Sequence, residues 1–166
     1  RKESSAASDV YKRQVVEFAL QGPKLRYKGD KVYFNVTGDV NFQILRKNKI
    51  EEGVCYQNLV LENNDCLDLI STNRSVYGYL SINASFKIDF YLDSCSVNTK
   101  AEIGANNGKI LQKNQIIKIE NITKKYSSNK LDYMVSKIEN IRVIKGPHFD
   151  YFSETAKELF FKEKFR

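Results

Sequence analysis

The chain has 166 residues, enough for one ordinary domain or for one domain and the beginning of another. Its side chains are 42% hydrophobic and 12% aromatic, which suffices for a buried core, and its formal net charge is +7. The charges are interspersed and form no basic block of the kind that follows a phosphate backbone, which argues against a nucleic-acid-binding protein. No window approaches the ~20 apolar residues of a membrane helix, and no secretory signal pattern opens the sequence.

The cysteines indicate a reducing compartment rather than a disulfide framework. There are three of them, Cys55, Cys66 and Cys95, and no two are spaced as Cys-x-x-Cys. Because the chain has a single histidine, a zinc cluster of cysteine and histidine ligands is not expected. We therefore predict reduced thiols in a cytoplasmic protein without a metal site.

Residues 1–14 differ from the rest of the chain. They show neither strand alternation nor a helical apolar stripe. This pattern is typical of a non-native tail, such as a translated sequencing adapter, or of a disordered arm. We therefore leave this segment out of the fold prediction.

Residues 15–120 alternate between short apolar runs and turn residues. Strands separated by turn signals every roughly 8–12 residues are typical of an antiparallel sandwich or barrel. No long segment before residue 150 keeps helical spacing. The predicted strands are residues 15–20, 25–27, 31–36, 40–45, 53–56, 58–61, 66–70, 76–82 and 116–119.

The last part of the chain changes character. Residues 121–137 are polar and weakly patterned, which predicts a linker. A short strand at 141–144 and a Gly-Pro turn then lead to a helix that Ser153 can cap. Several phenylalanines near the terminus need a surface to pack on. We expect residues 138–166 to be the beginning of a second, truncated lobe.

Four segments carry a family resemblance through their order and spacing: a strand with a Gly-Pro turn at 17–25, a Val-Thr-Gly-Asp turn at 36–39, the strand 77–82 with the loop 92–100, and the segment 142–152. They resemble the allophanate hydrolase subunit 2 family, which includes the biotin-dependent carboxyltransferase domain of urea carboxylase and the C-type component of 5-oxoprolinase. The resemblance implies a mainly β fold. A cyclophilin-like antiparallel β-barrel lobe, incomplete at its N-terminus, would occupy residues 15–120, and the strand and helix of a second lobe would follow.

For function, the resemblance implies a component of an ATP-dependent 5-oxoprolinase, which hydrolyses the lactam of 5-oxoproline to glutamate. It would act with a B-type partner, with an A-type protein as an optional third member, and the complete complex would bind ATP with Mg. One alternative is a component of a urea or amide carboxyltransferase, which needs carboxybiotin on a partner. Another is a regulatory binding protein without catalytic activity. A fragment of this length is expected to be inactive by itself.

The first candidate site is the loop that contains Ser94, Ser96, Asn98 and Lys100. Both reactions of the family develop negative charge on oxygen, which N–H donors and a cation stabilise. The loop offers two hydroxyls, an amide and an ammonium, although a solvated polar loop has the same composition. The resemblance implies arginine where this chain has Cys95 and Lys100. A lysine offers a point charge instead of a bidentate fork, so the preferred ligand can differ.

The second candidate for binding a substrate or an anion is the turn Thr37, Gly38 and Asp39, which resembles a turn of the family. Glycine can supply a positive φ there and aspartate a bond to the backbone, so an ordinary hairpin turn is the favoured interpretation. Arg74 precedes a predicted strand. A cation there can contact a ligand or only solvate the strand end, and the solvated strand end is the favoured interpretation.

The third candidate is the turn Gly146, Pro147 and His148. It follows a predicted strand and precedes a helix, where backbone N–H groups can face an anion. His148 is the only histidine, and the position resembles a glutamine in the family, so a general-base role is not implied. No catalytic residue is assigned.

Overall fold

The computed structural model describes residues 14–123 and 143–162. The chain divides into two compact units, Arg1–Tyr133 and Met134–Arg166. The first unit contains all the described strands, and the described part of the second contains one α-helix. The sheets are antiparallel. The predicted mainly β fold with a helix near the end is therefore confirmed.

The described strands follow one another with short connections. Eight of them form two sheets of four strands each, and the other four form two short pairs. In chain order they are β1 (Val15–Ala19), β2 (Lys24–Arg26), β3 (Val32–Thr37), β4 (Val40–Arg46), β5 (Lys49–Glu52), β6 (Leu59–Leu61), β7 (Cys66–Thr72), β8 (Tyr77–Ile82), β9 (Ser85–Phe86), β10 (Val97–Asn98), β11 (Ile103–Gly104) and β12 (Ile119–Glu120).

Alternating apolar side chains bring the two larger sheets together. The first sheet has the order β1-β8-β3-β6 and the second has the order β2-β7-β4-β5. In β3, for example, Val32, Phe34 and Val36 are at most 2% exposed, and Phe34 meets Phe42 of the other sheet edge to face at 6.3 Å. Burying one such side chain contributes about 1.5–3 kcal/mol. One shared core of twelve buried residues therefore joins both sheets.

Three of the connections that pass between the two sheets are hydrogen-bonded to one another. They are the segments 20–23, 37–39 and 73–76, which join β1 to β2, β3 to β4 and β7 to β8. Leu20 N donates to Val76 O over 3.0 Å, and Asn73 N donates to Asp39 O over 2.8 Å. We call this end of the unit the corner, defined by these three segments. It brings residues more than 30 positions apart into contact.

Two strand predictions are wrong. The prediction at 53–56 fails because Gly53 passes directly over the Phe42 ring, where a Cβ would overlap the ring carbons. The strand is Lys49–Glu52 instead, an edge strand whose charged residues resemble a turn in sequence. The prediction at 116–119 fails because the strand begins only at Ile119.

The second unit contains the helix α1 (Glu154–Lys162). Ser153 Oγ accepts a hydrogen bond from Ala156 N over 3.2 Å, which confirms the predicted cap. Of the strand predicted at 141–144, the first two residues lie outside the described residues, and Val143 and Ile144 have irregular structure. Among the described residues, no helix has the length and apolar character of a membrane span.

Most of the predicted tail and linker lies outside the described residues. The exceptions are residue 14 of the tail and residues 121–123 of the linker. Gln14 Oε1 accepts a hydrogen bond from Phe86 N over 2.6 Å, so its side chain contacts the folded unit. Thr123 N donates to Asn83 O over 2.9 Å, just past the end of β8.

Candidate functional site

The turn Thr37-Gly38-Asp39 forms part of the corner. Gly38 has φ +109°, and a Cβ on it would lie 2.9 Å from the carbonyl oxygen of Tyr77, so the neighbouring strand requires glycine there. Thr37 is buried, whereas Asp39 points toward the connection before β8. The turn therefore fixes the position of Asp39 through the backbone.

Asp39 forms an ion pair with Arg74 across the corner. Arg74 Nε lies 3.0 Å from Asp39 Oδ2, and the backbone N of Arg74 donates to the same oxygen over 3.3 Å. Asn73 Nδ2 donates to Asp39 Oδ1 over 3.1 Å. The hydrogen bonds from Arg74 and Asn73 hold the pKa of the Asp39 carboxyl below its usual value. Asp39 is thus ionised and holds the guanidinium in place.

Two asparagine amides extend this network onto β4. Asn41 Nδ2 donates to Asn73 Oδ1 over 2.8 Å, and Asn73 Nδ2 donates back to Asn41 Oδ1 over 3.1 Å. Asn41 Nδ2 also lies 3.3 Å from Ser71 Oγ. Both asparagines are exposed. Sequence reasoning missed them, although the outward position of Asn41 in an alternating strand was a usable signal.

A tyrosine and a cysteine support the corner from the β5–β6 connection. The hydroxyl of Tyr56 accepts a hydrogen bond from Gly38 N over 3.0 Å. The Cys55 thiol donates to the carbonyl oxygen of Val40 over 3.2 Å. Burial, together with the charge of Asp39, raises the pKa of Cys55. Cys55 is therefore a poor nucleophile, as expected for a reduced structural thiol.

In the predicted loop 94–100, several polar groups close local turns. Asn98 Oδ1 accepts from the backbone N of Lys100 and of Ala101, each over 3.2 Å. Ser94 Oγ accepts from Ser96 N over 3.2 Å. These bonds are local, and Val97–Asn98 within the predicted loop forms strand β10, which pairs with β11. Ligand binding by Ser94, Ser96, Asn98 and Lys100 stays a prediction.

The predicted turn Gly146-Pro147-His148 lies in the second unit. Phe149 N donates to Gly146 O over 3.0 Å, so this amide is used within the turn. The His148 ring lies 5.6 Å from that of Tyr151. The structure therefore joins Thr37, Gly38 and Asp39 to a larger polar network within the first unit, whereas an anion site at 146–148 stays a prediction.

The sequence comparison identifies the family. A model described as "Carboxyltransferase domain, subdomain A and B" matches residues 8–166. The chain belongs to this carboxyltransferase family. A search of curated proteins finds no significant match.

Solved structures with a similar fold include two enzymes from Kluyveromyces lactis. Its urea carboxylase is 24% identical over 62% of the chain, with a TM-score of 0.52, and its urea amidolyase has the same values. TTHA0988 is 19% identical over 74% of the chain, with a TM-score of 0.61. The chain spans 8%, 6% and 44% of these proteins, respectively. At these identities the likeness concerns the fold.

Proposed function

We propose that the chain is part of a biotin-dependent carboxyltransferase that transfers a carboxyl group to the nitrogen of a urea or amide. The observation that carries this proposal is the match of the carboxyltransferase family to residues 8–166. The similar folds of a urea carboxylase and a urea amidolyase support a urea-like acceptor. The chain spans a small part of those proteins. In the proposed reaction, the steps that use ATP and carry biotin belong to other domains or proteins.

The corner supplies groups that suit this chemistry. Carboxyl transfer develops negative charge on oxygen, and fixed N–H donors beside a cation stabilise such charge. Arg74 has 68% of its side chain exposed, and Asp39 orients its guanidinium through Nε. The amides of Asn41 and Asn73 lie in the same network. These donors fit the carboxylate and ureido groups of carboxybiotin, which supplies the activated carboxyl group when bound.

A reconstituted complex tests the proposal. The chain is co-expressed with the proteins encoded beside it and given ATP, Mg²⁺, labelled bicarbonate and urea. We expect label to enter a carboxylated urea product, and avidin to abolish this incorporation. Glutamate release from 5-oxoproline without incorporation contradicts the proposal and supports the 5-oxoprolinase prediction. If neither reaction occurs, a regulatory binding role is supported instead.

The same assay measures the contribution of Arg74. The variant Arg74→Gln removes a charge-assisted donor, and we expect kcat/KM for urea to fall by about tenfold or more. Arg26→Gln is the matched control, because Arg26 is another exposed arginine, on β2. If kcat/KM falls equally in both variants, the effect comes from surface charge and not from the corner.

A further inference from the structure

The reciprocal amide pair at the corner presents a specific chemical edge. In each amide an N–H donor and a C=O acceptor lie side by side, and the two edges of Asn41 and Asn73 meet at 2.8 and 3.1 Å. A pair of this kind forms only when the two amide planes are aligned and the N–H of each amide faces the carbonyl oxygen of the other. The surroundings of Asn41 are therefore already arranged to receive a second amide-type group.

Ureido groups and lactams carry the same edge. In urea, in the ureido ring of biotin and in 5-oxoproline, an N–H and the carbonyl oxygen lie on one side of the molecule. We propose that Asn41 is a specificity-determining residue that recognises this edge. The Asn73 amide occupies the position of the ligand until a ligand displaces it. The inference rests on the proposed function, in which the corner binds the ligand.

Asn41 is the fixed member of the pair. It lies in β4, and its backbone pairs with Ser71 of β7. Its Nδ2 is also held by Ser71 Oγ at 3.3 Å. Asn73 lies in the connection between β7 and β8, where a side chain can rotate away without breaking a sheet. The strand residue is therefore assigned to recognition and the turn residue to displacement.

The exchange is close to neutral in hydrogen bonds. Displacing Asn73 breaks three hydrogen bonds, two to Asn41 and one to Asp39 Oδ1. The ligand replaces the two to Asn41, and water hydrates the released amide because Asn73 is exposed. Arg74 Nε, at 3.0 Å, still holds Asp39 in the turn. Affinity then comes from the few remaining contacts, so a ligand as small as urea should bind at about millimolar concentration.

Titration of the full chain, observed by NMR through its side-chain amide signals, tests the inference directly. Urea, biotin and 5-oxoproline are added separately, with urea kept well below denaturing concentration. We expect saturable shifts of the Asn41 and Asn73 signals with at least one of the three ligands. The ligand that gives saturation identifies the chemical group that Asn41 recognises. Tetramethylurea has no N–H and should leave these signals unchanged. An equal response to tetramethylurea, or no response to any ligand, overturns the inference.

Variants of β4 complete the test. Asn41→Asp keeps the size of the side chain but replaces its N–H donor with an acceptor, and binding should weaken at least about tenfold. Gln43→Glu is the matched control, because it makes the same charge change two residues along the same outward face. If Asn41→Asp does not fold, Asn41→Ser removes the amide edge without adding charge. Undiminished binding in the folded variant overturns the inference.

The readouts separate this inference from the proposed function. Ligand binding at Asn41 without turnover in the reconstituted complex supports the recognition role and contradicts the carboxyltransferase proposal. Turnover of urea with an unchanged KM in Asn41→Asp supports the carboxyltransferase and contradicts the recognition role.

Discussion

Two aspartate–arginine pairs lie at opposite ends of β4 and have nearly the same geometry. At one end Arg74 Nε lies 3.0 Å from Asp39, and at the other Arg46 Nη1 lies 2.9 Å from Asp65. Their surroundings differ. The arginine side chains are 68% and 26% exposed, and the aspartate side chains are 22% and 8% exposed, respectively. Burial, and not distance, therefore distinguishes them.

The buried pair has a structural role that its other contacts define. Arg46 Nη2 donates to Val60 O over 3.2 Å, so an arginine of the second sheet contacts β6 of the first. Asp65 Oδ2 also accepts from the backbone N of Glu62 over 2.9 Å. In contrast, water screens the exposed Asp39–Arg74 pair, and such pairs contribute little to stability. The exposed pair can therefore serve ligand binding without endangering the fold.

The largest effect is expected at the buried pair. Arg46→Met leaves the Asp65 carboxylate without its partner in a poorly hydrated position and removes the contact to Val60. We expect the free energy of unfolding to fall by about 3 kcal/mol, as for other buried pairs that lose one member. Denaturation by guanidinium, followed by circular dichroism, measures this change.

Lys49→Met is the matched control for this prediction. Lys49 also pairs with an acidic residue, Glu51, at 2.9 Å, but its side chain is 70% exposed. Its loss should cost less than about 1 kcal/mol. Equal costs for the two variants would show that burial does not separate them.

A smaller loss is expected from the backbone of the exposed corner. Gly38→Ala places a Cβ at φ +109° and 2.9 Å from Tyr77 O, which should cost about 1–3 kcal/mol. Gly146→Ala is the control, because a Cβ there meets no atom of the described residues within 4 Å. The midpoint of denaturation should shift for the first variant and stay within error for the second. An unshifted Gly38→Ala would mean that the corner is not rigid.

Local patterns in the sequence predicted much of the fold. Period-two alternation located most strands of the two larger sheets, and Thr37-Gly38-Asp39 was identified as a turn from its residue types. Ser153 was identified as a helix cap in the same way. Each of these features depends on neighbours only a few positions away, which is why sequence reasoning reached them.

Features that depend on distant contacts were not predictable. Asp39 and Arg74 are 35 positions apart, and only the bends that carry strands from one sheet to the other bring them together. The charged edge strand β5 was missed because burial, which the sequence does not display, decides whether Lys49–Glu52 is a turn or a strand. The Asn41–Asn73 pair depends on register across β4 and the neighbouring turn.

A still smaller effect is expected for Asp39→Asn, which should reduce stability at neutral pH by less than about 1 kcal/mol. Because the folded-state pKa of Asp39 is lowered from its ordinary 3.8, its contribution is present above that pH. It is lost as the pH falls through the folded-state pKa. Denaturation at a series of pH values should therefore show the two proteins converging in acid. If the two proteins still differ in stability below the folded-state pKa, the charge of Asp39 is not the cause of the difference.

The smallest effect reports on the charge of Asp39 through Cys55. Burial raises the pKa of this thiol, and the Asp39 carboxylate raises it further. In a background of Cys66→Ser and Cys95→Ser, Asp39→Asn should lower the pKa of Cys55 and speed its reaction with a disulfide reagent, because more thiolate is present at a given pH. Asp68→Asn removes a carboxylate elsewhere on the sheet and should leave the rate unchanged. If Asp39→Asn also leaves it unchanged, the field of the exposed pair is screened even from its half-buried neighbour, and the contrast with the buried pair becomes sharper.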